Sequence, residues 1–394
     1  MLRIFLRQFE NVRPYWVVTT AVGVVALVLA RNLDGFAEWY ATHIYTVFPH
    51  IIGRFMSIFP FSVFEIGLYV LVIALLAFII YLSVSAIVPK WRDNVKPVAK
   101  RGGSIAVTIL CTMFMMFSLA AGVNYSRDTF AELTERELPV EVEREDLLEL
   151  AELLIEKAAE LAMEIPIDER GHFTLREIDL HAETREAMNR LGTRIPELAG
   201  FYPNPKPVLA SRGMSWLNIT GIFSPFTLEA NYNRDIPDFL IPFTIFHEFA
   251  HVRGIMREDE ANFIAYLAGR DAESVELRYS VTVSALLHVL RAHSQAAGRL
   301  RHNELLATIP EQVTRDLAAN NAYWAQFRGR AAEISTAANN IYLRANAQED
   351  GVMSYGRMVD LLIMEYRIGV ERRAREEIYR QMQYQMYYEY ESYY

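Results

Sequence analysis

Three long apolar runs open the chain, and no run of that length follows residue 123. They cover Tyr15 to Ala30 (YWVVTTAVGVVALVLA), about Val63 to Val88, and about Ile105 to Val123. A helix crossing a bilayer needs roughly 20 mostly apolar residues, so each run predicts a transmembrane helix, the first with help from its flanks. Trp16, Trp39, Tyr40 and Trp91 stand near the ends of these runs, where amphipathic rings favour the membrane–water interface. No small-residue cleavage site follows the first run and two further runs come after it, so it reads as a retained span and not a cleaved signal peptide.

Beyond residue 123 the pattern changes to amphipathic. Residues 124–144 read as a charged, partly extended linker. Glu145 to Ile165 (EDLLELAELLIEKAAELAMEI) places apolar residues at helical spacing and stops at Pro166. A second helix is expected from Leu175 to Leu191. The stretch 206–233 (PVLASRGMSWLNITGIFSPFTLEANYN from Pro207) mixes aromatic, β-branched, Gly and Pro residues and predicts one or two short strands with turns. Helical patterns return after Pro237, and 271–297 carries the apolar periodicity of a buried helix. The expected fold is therefore mainly α: a membrane domain of three transmembrane helices (1–123), the linker, a helical domain with a short β segment (145–380), and a Tyr-rich tail (381–394).

Charge orients the chain. Arg3, Arg7 and Arg13 precede the first run, and Lys90, Arg92, Lys96, Lys100 and Arg101 lie between the second and third. Only Arg31 and Arg54 lie between the first and second, and acidic Asp128, Glu132, Glu135 and Glu137 follow the third. The positive-inside rule then places the N-terminus and the 90–103 loop in the cytoplasm, and the domain after residue 124 outside a cell (inner or plasma) membrane. The net charge of -9 argues against nucleic acid as a partner, because phosphate binding needs a basic patch. Cys111 is the sole cysteine, so no intrachain disulfide forms.

The chemistry-bearing segment is IPFTIFHEFAHVRGIMREDEANFIAYLAG, Ile241 to Gly269. His247 and His251, four residues apart, share one face of a helix and suit two corners of a zinc tetrahedron. Glu248 lies to the side of that face, where its carboxylate can take a proton from an attacking water without serving as a ligand. A catalytic zinc takes three protein ligands. Beyond a helix break at Gly254, Glu258 is the expected third ligand with Glu260 as the alternative, and Asn262 shares a face with Glu258 and would support a ligand histidine from behind. An HExxHxxGxxH site would need a histidine where Arg257 stands, which excludes the all-histidine class. An intramembrane protease is excluded because the apolar run ahead of the motif, Phe239 to Phe246, is too short to span.

The stretches GIFSPFTLEANYN, PFTIFHEFAHVRG and REDEANFIAYLA resemble an uncharacterised bacterial family of multi-pass membrane proteins, known only as domain of unknown function 3810. The order of spans first and HExxH later is similar as well. The resemblance implies a membrane-bound, gluzincin-like zinc metallopeptidase without a known substrate. Glutamate zinc proteases carry Glu-x-x-Ala-Asp after the second histidine, whereas this chain has Glu258-x-x-Ala261-Asn262, which keeps a hydrogen-bonding side chain and removes a charge.

The expected function is hydrolysis of peptide bonds in an envelope or secreted substrate, with Zn2+ as cofactor, Glu248 as general base, and the lipid bilayer and a peptide or protein as partners. The segment Gly221–Asn233 is expected either to pair with an extended substrate, with Glu229 and Asn231 as contacts, or to be an ordinary packing strand. The rivals are a non-catalytic zinc-binding membrane protein, which leaves Glu248 without a purpose, and an interaction or assembly protein. A transporter is disfavoured because Glu65 is the only obvious ionisable residue within a run.

Overall fold

A computed structural model of the chain describes residues 13–136, 138, 143–176, 178–346, 348 and 357–371; the Tyr-rich tail lies outside the described residues. Among the described residues three helices are long and apolar enough to cross a membrane: α1 (Arg13–Asn32), α2 (Val63–Ile87) and the segment that contains α3 (Val95–Phe117). α1 packs on α3, where Tyr15 and Trp16 hydrogen-bond Thr112 and Thr108, each at 2.8 Å. Gly23 permits the approach, since a Cβ there would stand 2.8 Å from the Phe114 ring. α2 exposes apolar side chains along its length, among them Leu71, Ile73 and Ile80, as a lipid-facing helix does.

α3 does not stop at the end of its apolar run. It continues through a π turn (Ser118–Gly122) and a 3-10 turn (Val123–Ser126), and the whole helical segment Pro89–Ser126 holds 38 residues. At about 1.5 Å per residue it is roughly twice as long as the hydrocarbon layer is thick. Its last two turns are buried: Ala120 and Val123 in a cluster with Ala26, Ala37, Tyr45 and Leu228, and Ala121 and Tyr125 with Met256 of the following domain. The expected linker is therefore corrected over 124–133. Asn124, Arg127 and Phe130 are buried there, and a short helix, Phe130–Leu133, is closed by a capping box between Thr129 and Glu132. Of the acidic residues that suggested a solvated linker, Glu132 serves this cap instead, accepting from the Thr129 N–H at 2.7 Å.

The domain is helical around a small sheet. Its elements are α4 (Arg144–Ala162), α5 (Leu180–Arg194), β1 (Lys206–Pro207), β2 (Gly221–Ser224), β3 (Glu229–Tyr232), α6 (Leu240–Val252), α7 (Glu258–Arg270), α8 (Val275–Ala296), α9 (Arg299–Leu306), α10 (Glu311–Ala325), α11 (Arg330–Ala345) and α12 (358–371). α4 buries Leu147, Leu150, Ala151, Leu154, Ala158 and Leu161, a stripe at spacings of three and four, against α8. Asp179 caps α5 through the Ala182 N–H, which moves its start to Leu180 from the expected Leu175. α6, α7 and α8 form the centre of one core, with Phe246, Phe249, Phe263, Leu277 and Leu286 fully buried. β3 is the middle strand, parallel to β1 and antiparallel to β2, with Ile222 opposite Asn231. This leaves β2 at the edge.

Carboxylates join the sheet to the membrane helices. Glu229 on β3 accepts from the Val63 and Phe64 N–H groups at 3.0 and 2.8 Å. Those are free amides of the first turn of α2, where negative charge is favoured. In return, Glu65 in that turn accepts from the Leu209 and Ala210 N–H groups at 2.8 and 2.7 Å and from the Tyr69 hydroxyl. Lys206 on β1 donates to the carbonyls of Met56 and Phe59. Each group is buried or nearly so, and a buried polar group is costly unless bonded, so the span and domain are fitted to each other.

Candidate metal centre

α6 reads LIPFTIFHEFAHV, apolar nearly all round, which suits a helix enclosed by protein. Its C-terminal end is held by residues from the membrane half. The Tyr45 hydroxyl donates to the carbonyls of His251 and Val252 at 3.3 and 3.1 Å, and Arg127 donates to the Arg253 carbonyl at 3.2 Å. Gly254 then takes a left-handed conformation, φ 78°, which turns the chain back. α7 begins with Glu258, Asp259 and Glu260 in its first turn, where the helix dipole favours acids. The turn brings the start of α7 against the end of α6.

The imidazoles meet there. His247 Nδ1 lies 2.8 Å from Asn262 Oδ1, and His251 Nδ1 lies 2.7 Å from the Ile255 carbonyl. Both partners are acceptors, so each Nδ1 carries the hydrogen and each Nε2 presents a lone pair. The two Nε2 atoms are 3.1 Å apart, and Glu258 Oε2 is 3.1 Å from one and 3.7 Å from the other. Three acceptors converge on one point, and Glu258 Oε2 is buried with no hydrogen-bond partner. Ligands about 2.0–2.1 Å from one tetrahedral ion stand about 3.3 Å from each other. His247, His251 and Glu258 therefore fit a metal ion by spacing, donor type and tautomer.

Electrostatics reflect the same crowding. Burial would lower the His251 imidazole, but Glu258 reverses this and pushes it up to about 9. Burial would raise Glu258, yet the two histidines outweigh it and hold the carboxyl well below the usual range. A positive charge is wanted among these groups, whether proton or metal. Glu248 stands outside the ligand triangle. Burial pushes its carboxyl up to about 7, against the pull of both histidines.

A cavity of about 930 Å³ opens on this group. Gly221, Ile222 and Phe223 of edge strand β2 form one side, Asn339 and Tyr342 of α11 another, and Ala121 and Tyr125 from the end of the third span a third. Tyr342 and Tyr125 are joined hydroxyl to hydroxyl at 3.0 Å. Gly221 lies directly against the carboxylate: a Cβ there would come 2.3 Å from Glu248 Oε1.

The structure brings together His247, Glu248, His251, Glu258 and Asn262 as the sequence spacing suggested. Glu260 is elsewhere: it accepts from the Phe130 N–H at 2.9 Å and pairs with Arg257 at 3.3 Å. Burial raises its carboxyl to about 7. Glu229 and Asn231, expected as substrate contacts, are corrected. Both are buried inside the sheet, Glu229 on the first turn of α2 and Asn231 on the carbonyls of Ile222 and Glu229. β3 is the middle strand, with both backbone edges paired, and all four of its residues are buried. Tyr125, Asn339 and Tyr342 in the cavity wall were missed and carried no signal, whereas Gly221 lies in the segment that resembles the family and His288 stands on a helical pattern without metal spacing.

No curated protein matches the chain, and no solved structure does. A family model described as "Protein of unknown function (DUF3810)" matches residues 40–363, a range that takes in the second and third spans, the sheet and the metal centre, and the chain belongs to this family.

Proposed function

We propose that this protein is a membrane-anchored zinc metallopeptidase that hydrolyses peptide bonds, with its domain on the extracytoplasmic face. The observation that carries the reading is the convergence of the His247 and His251 lone pairs with Glu258, beside a fourth polar group, Glu248, that is buried yet not a ligand. A structural zinc site takes four protein ligands; three ligands with an adjacent acid are the arrangement of a hydrolytic one.

His247, His251 and Glu258 would hold the ion, with Asn262 and the Ile255 carbonyl fixing the two imidazoles. Zinc, when bound, supplies Lewis acidity that polarises a peptide carbonyl and makes water nucleophilic near neutral pH. Glu248 takes a proton from the attacking water and returns it to the leaving amine. The free edge of β2 offers backbone groups to an extended peptide. Arg3, Arg7 and Arg13 and the basic 90–103 loop support the assignment of sides.

The test is metal content by elemental analysis, paired with hydrolysis of a quenched fluorescent peptide library, for the wild type and Glu248→Ala. The expected result is one zinc per chain in both and turnover in the wild type alone. Turnover that survives Glu248→Ala removes the mechanism. Zinc without turnover favours the non-catalytic reading, and absence of zinc after reconstitution favours an interaction protein.

A further inference from the structure

The connection between α1 and α2 carries a pattern that the metal centre does not explain. It is helical from Phe36 to Met56 in consecutive α and π turns: Phe36–Tyr40, Ala41–Tyr45, Pro49–Gly53 and Arg54–Met56. One face is committed to protein, with Ala37, Tyr40, Ala41, Tyr45, Pro49 and Gly53 buried. Another side bears Ile44, Val47, Ile51 and Phe55, at successive spacings of three, four and four, with Ile58 in the turn that follows Met56. All five are exposed, Ile51 to 65%, Phe55 to 55% and Ile58 to 73%.

We propose that this strap lies along the bilayer surface with that stripe immersed in lipid. Scattered exposed apolar residues need no explanation, but a continuous stripe at helical period does. The strap is not one of the helices able to cross a membrane, and it carries Glu38, His43, His50 and Arg54. It is nevertheless bounded on both sides by spans, so it starts and ends at one membrane face. A helix with one apolar stripe, a polar flank and no spanning length is the form that lies in the interface.

The polar flank is turned to the domain. Arg54 sits over the Phe201 ring at 4.7 Å, and the His50 ring is 6.3 Å from it. The domain reaches the same plane elsewhere: Leu209 is 55% exposed while its N–H binds Glu65 in the first turn of α2. The lipid in question is the bilayer that holds the spans. A second copy of the chain is the competing occupant, but the strap is joined at both ends to helices long and apolar enough to cross the bilayer, and these also expose apolar side chains, Val25 and Val28 on α1 and Val70 and Ile73 on α2 among them. Through Tyr45 on its inner face, which holds the carbonyls of His251 and Val252, the strap sets the depth of the metal-centre helix relative to the bilayer. The proposal does not depend on the peptidase reading.

The experiment uses the full chain in a Cys111→Ser background, in nanodiscs of phosphatidylcholine and phosphatidylglycerol. Single cysteines replace Ile51, Phe55 or Ile58 on the stripe, Thr42 on the polar edge, and Leu300, 73% exposed on α9. Each is labelled with bimane. Lipid brominated on its acyl chains should quench the three stripe positions several-fold more than Thr42 or Leu300, and aqueous iodide should show the reverse order. Iodide quenching of the stripe equal to that of Leu300 overturns the proposal. So does protection from both quenchers accompanied by disulfide crosslinking between copies, which assigns the stripe to a second chain.

Discussion

Gly221→Ala tests the placement of Glu248 without touching a metal ligand. Gly221 opens edge strand β2 and its φ is not positive, so the backbone accepts alanine. The obstacle is steric: the new Cβ would stand 2.3 Å from Glu248 Oε1, 2.7 Å from Thr244 Cγ2 and 2.9 Å from Glu248 Cδ, where ordinary contact begins at 3.4 Å. Thr244 is on the same buried helix and cannot yield far, so the carboxylate retreats by about 1 Å, and a displacement of that size costs on the order of 100-fold in rate. That corresponds to about 2.7 kcal/mol of transition-state stabilisation. The strain on folding should be about 1–3 kcal/mol, within reach of a chain that still folds. The assay is kcat/KM on the peptide library together with zinc stoichiometry, both for purified full-length protein. The expected result is one zinc per chain and about a 100-fold loss of kcat/KM. Full hydrolysis with zinc bound would refute the reasoning, because Glu248 would then act from some position other than the one against Gly221. Loss of zinc from a folded variant would show that the glycine serves the ligands instead.

Three further outcomes follow from the same geometry. Glu258→Ala should abolish zinc binding while Glu260→Ala retains it, since only Glu258 faces the imidazoles; equilibrium dialysis with zinc decides between them, and the opposite order would reverse the assignment. Asn262→Ala should weaken zinc affinity by roughly 10–100-fold through the freed His247 ring, read by competition with a chromogenic chelator; unchanged affinity would mean that the 2.8 Å contact orients nothing. Glu229→Ala should lower the melting temperature in detergent, by a stability loss of about 2–4 kcal/mol for two unpaired buried amides, while zinc binding persists. A variant as stable as the wild type would deny Glu229 its hold on Val63 and Phe64.

The His247, His251 and Glu258 cluster was legible because it is local. His247 and His251 are related by one helical turn, Glu258 and Asn262 by another, and a single glycine break separates the two pairs, so helical period alone aligns them. The third-ligand choice needed more than period. Glu258 and Glu260 are both buried acids in the first turn of α7, and what separates them is Phe130, distant in sequence, whose N–H engages Glu260. Spans were legible for the same local reason, as uninterrupted apolar length.

What the pattern hid was long-range use of polar groups. Glu229 stands in a segment that resembles an exposed, substrate-binding strand, and alternation alone cannot separate an edge strand from a middle one. The pairing partner that makes β3 a middle strand is β1, only two residues long, and too short to leave a period. Glu229 then finds its partners in the first turn of α2, more than 160 residues earlier. The same holds for the strap after α1. Its sequence alternates polar and apolar residues without enough apolar length for a span, so it passes for a loop until Tyr45 is seen under the His251 carbonyl. The apolar and polar halves were separable as composition, but not as structure: the helix that presents His247 and His251 ends on Tyr45, which lies between the first two spans, and the strand beside it is anchored to the start of the second of those spans.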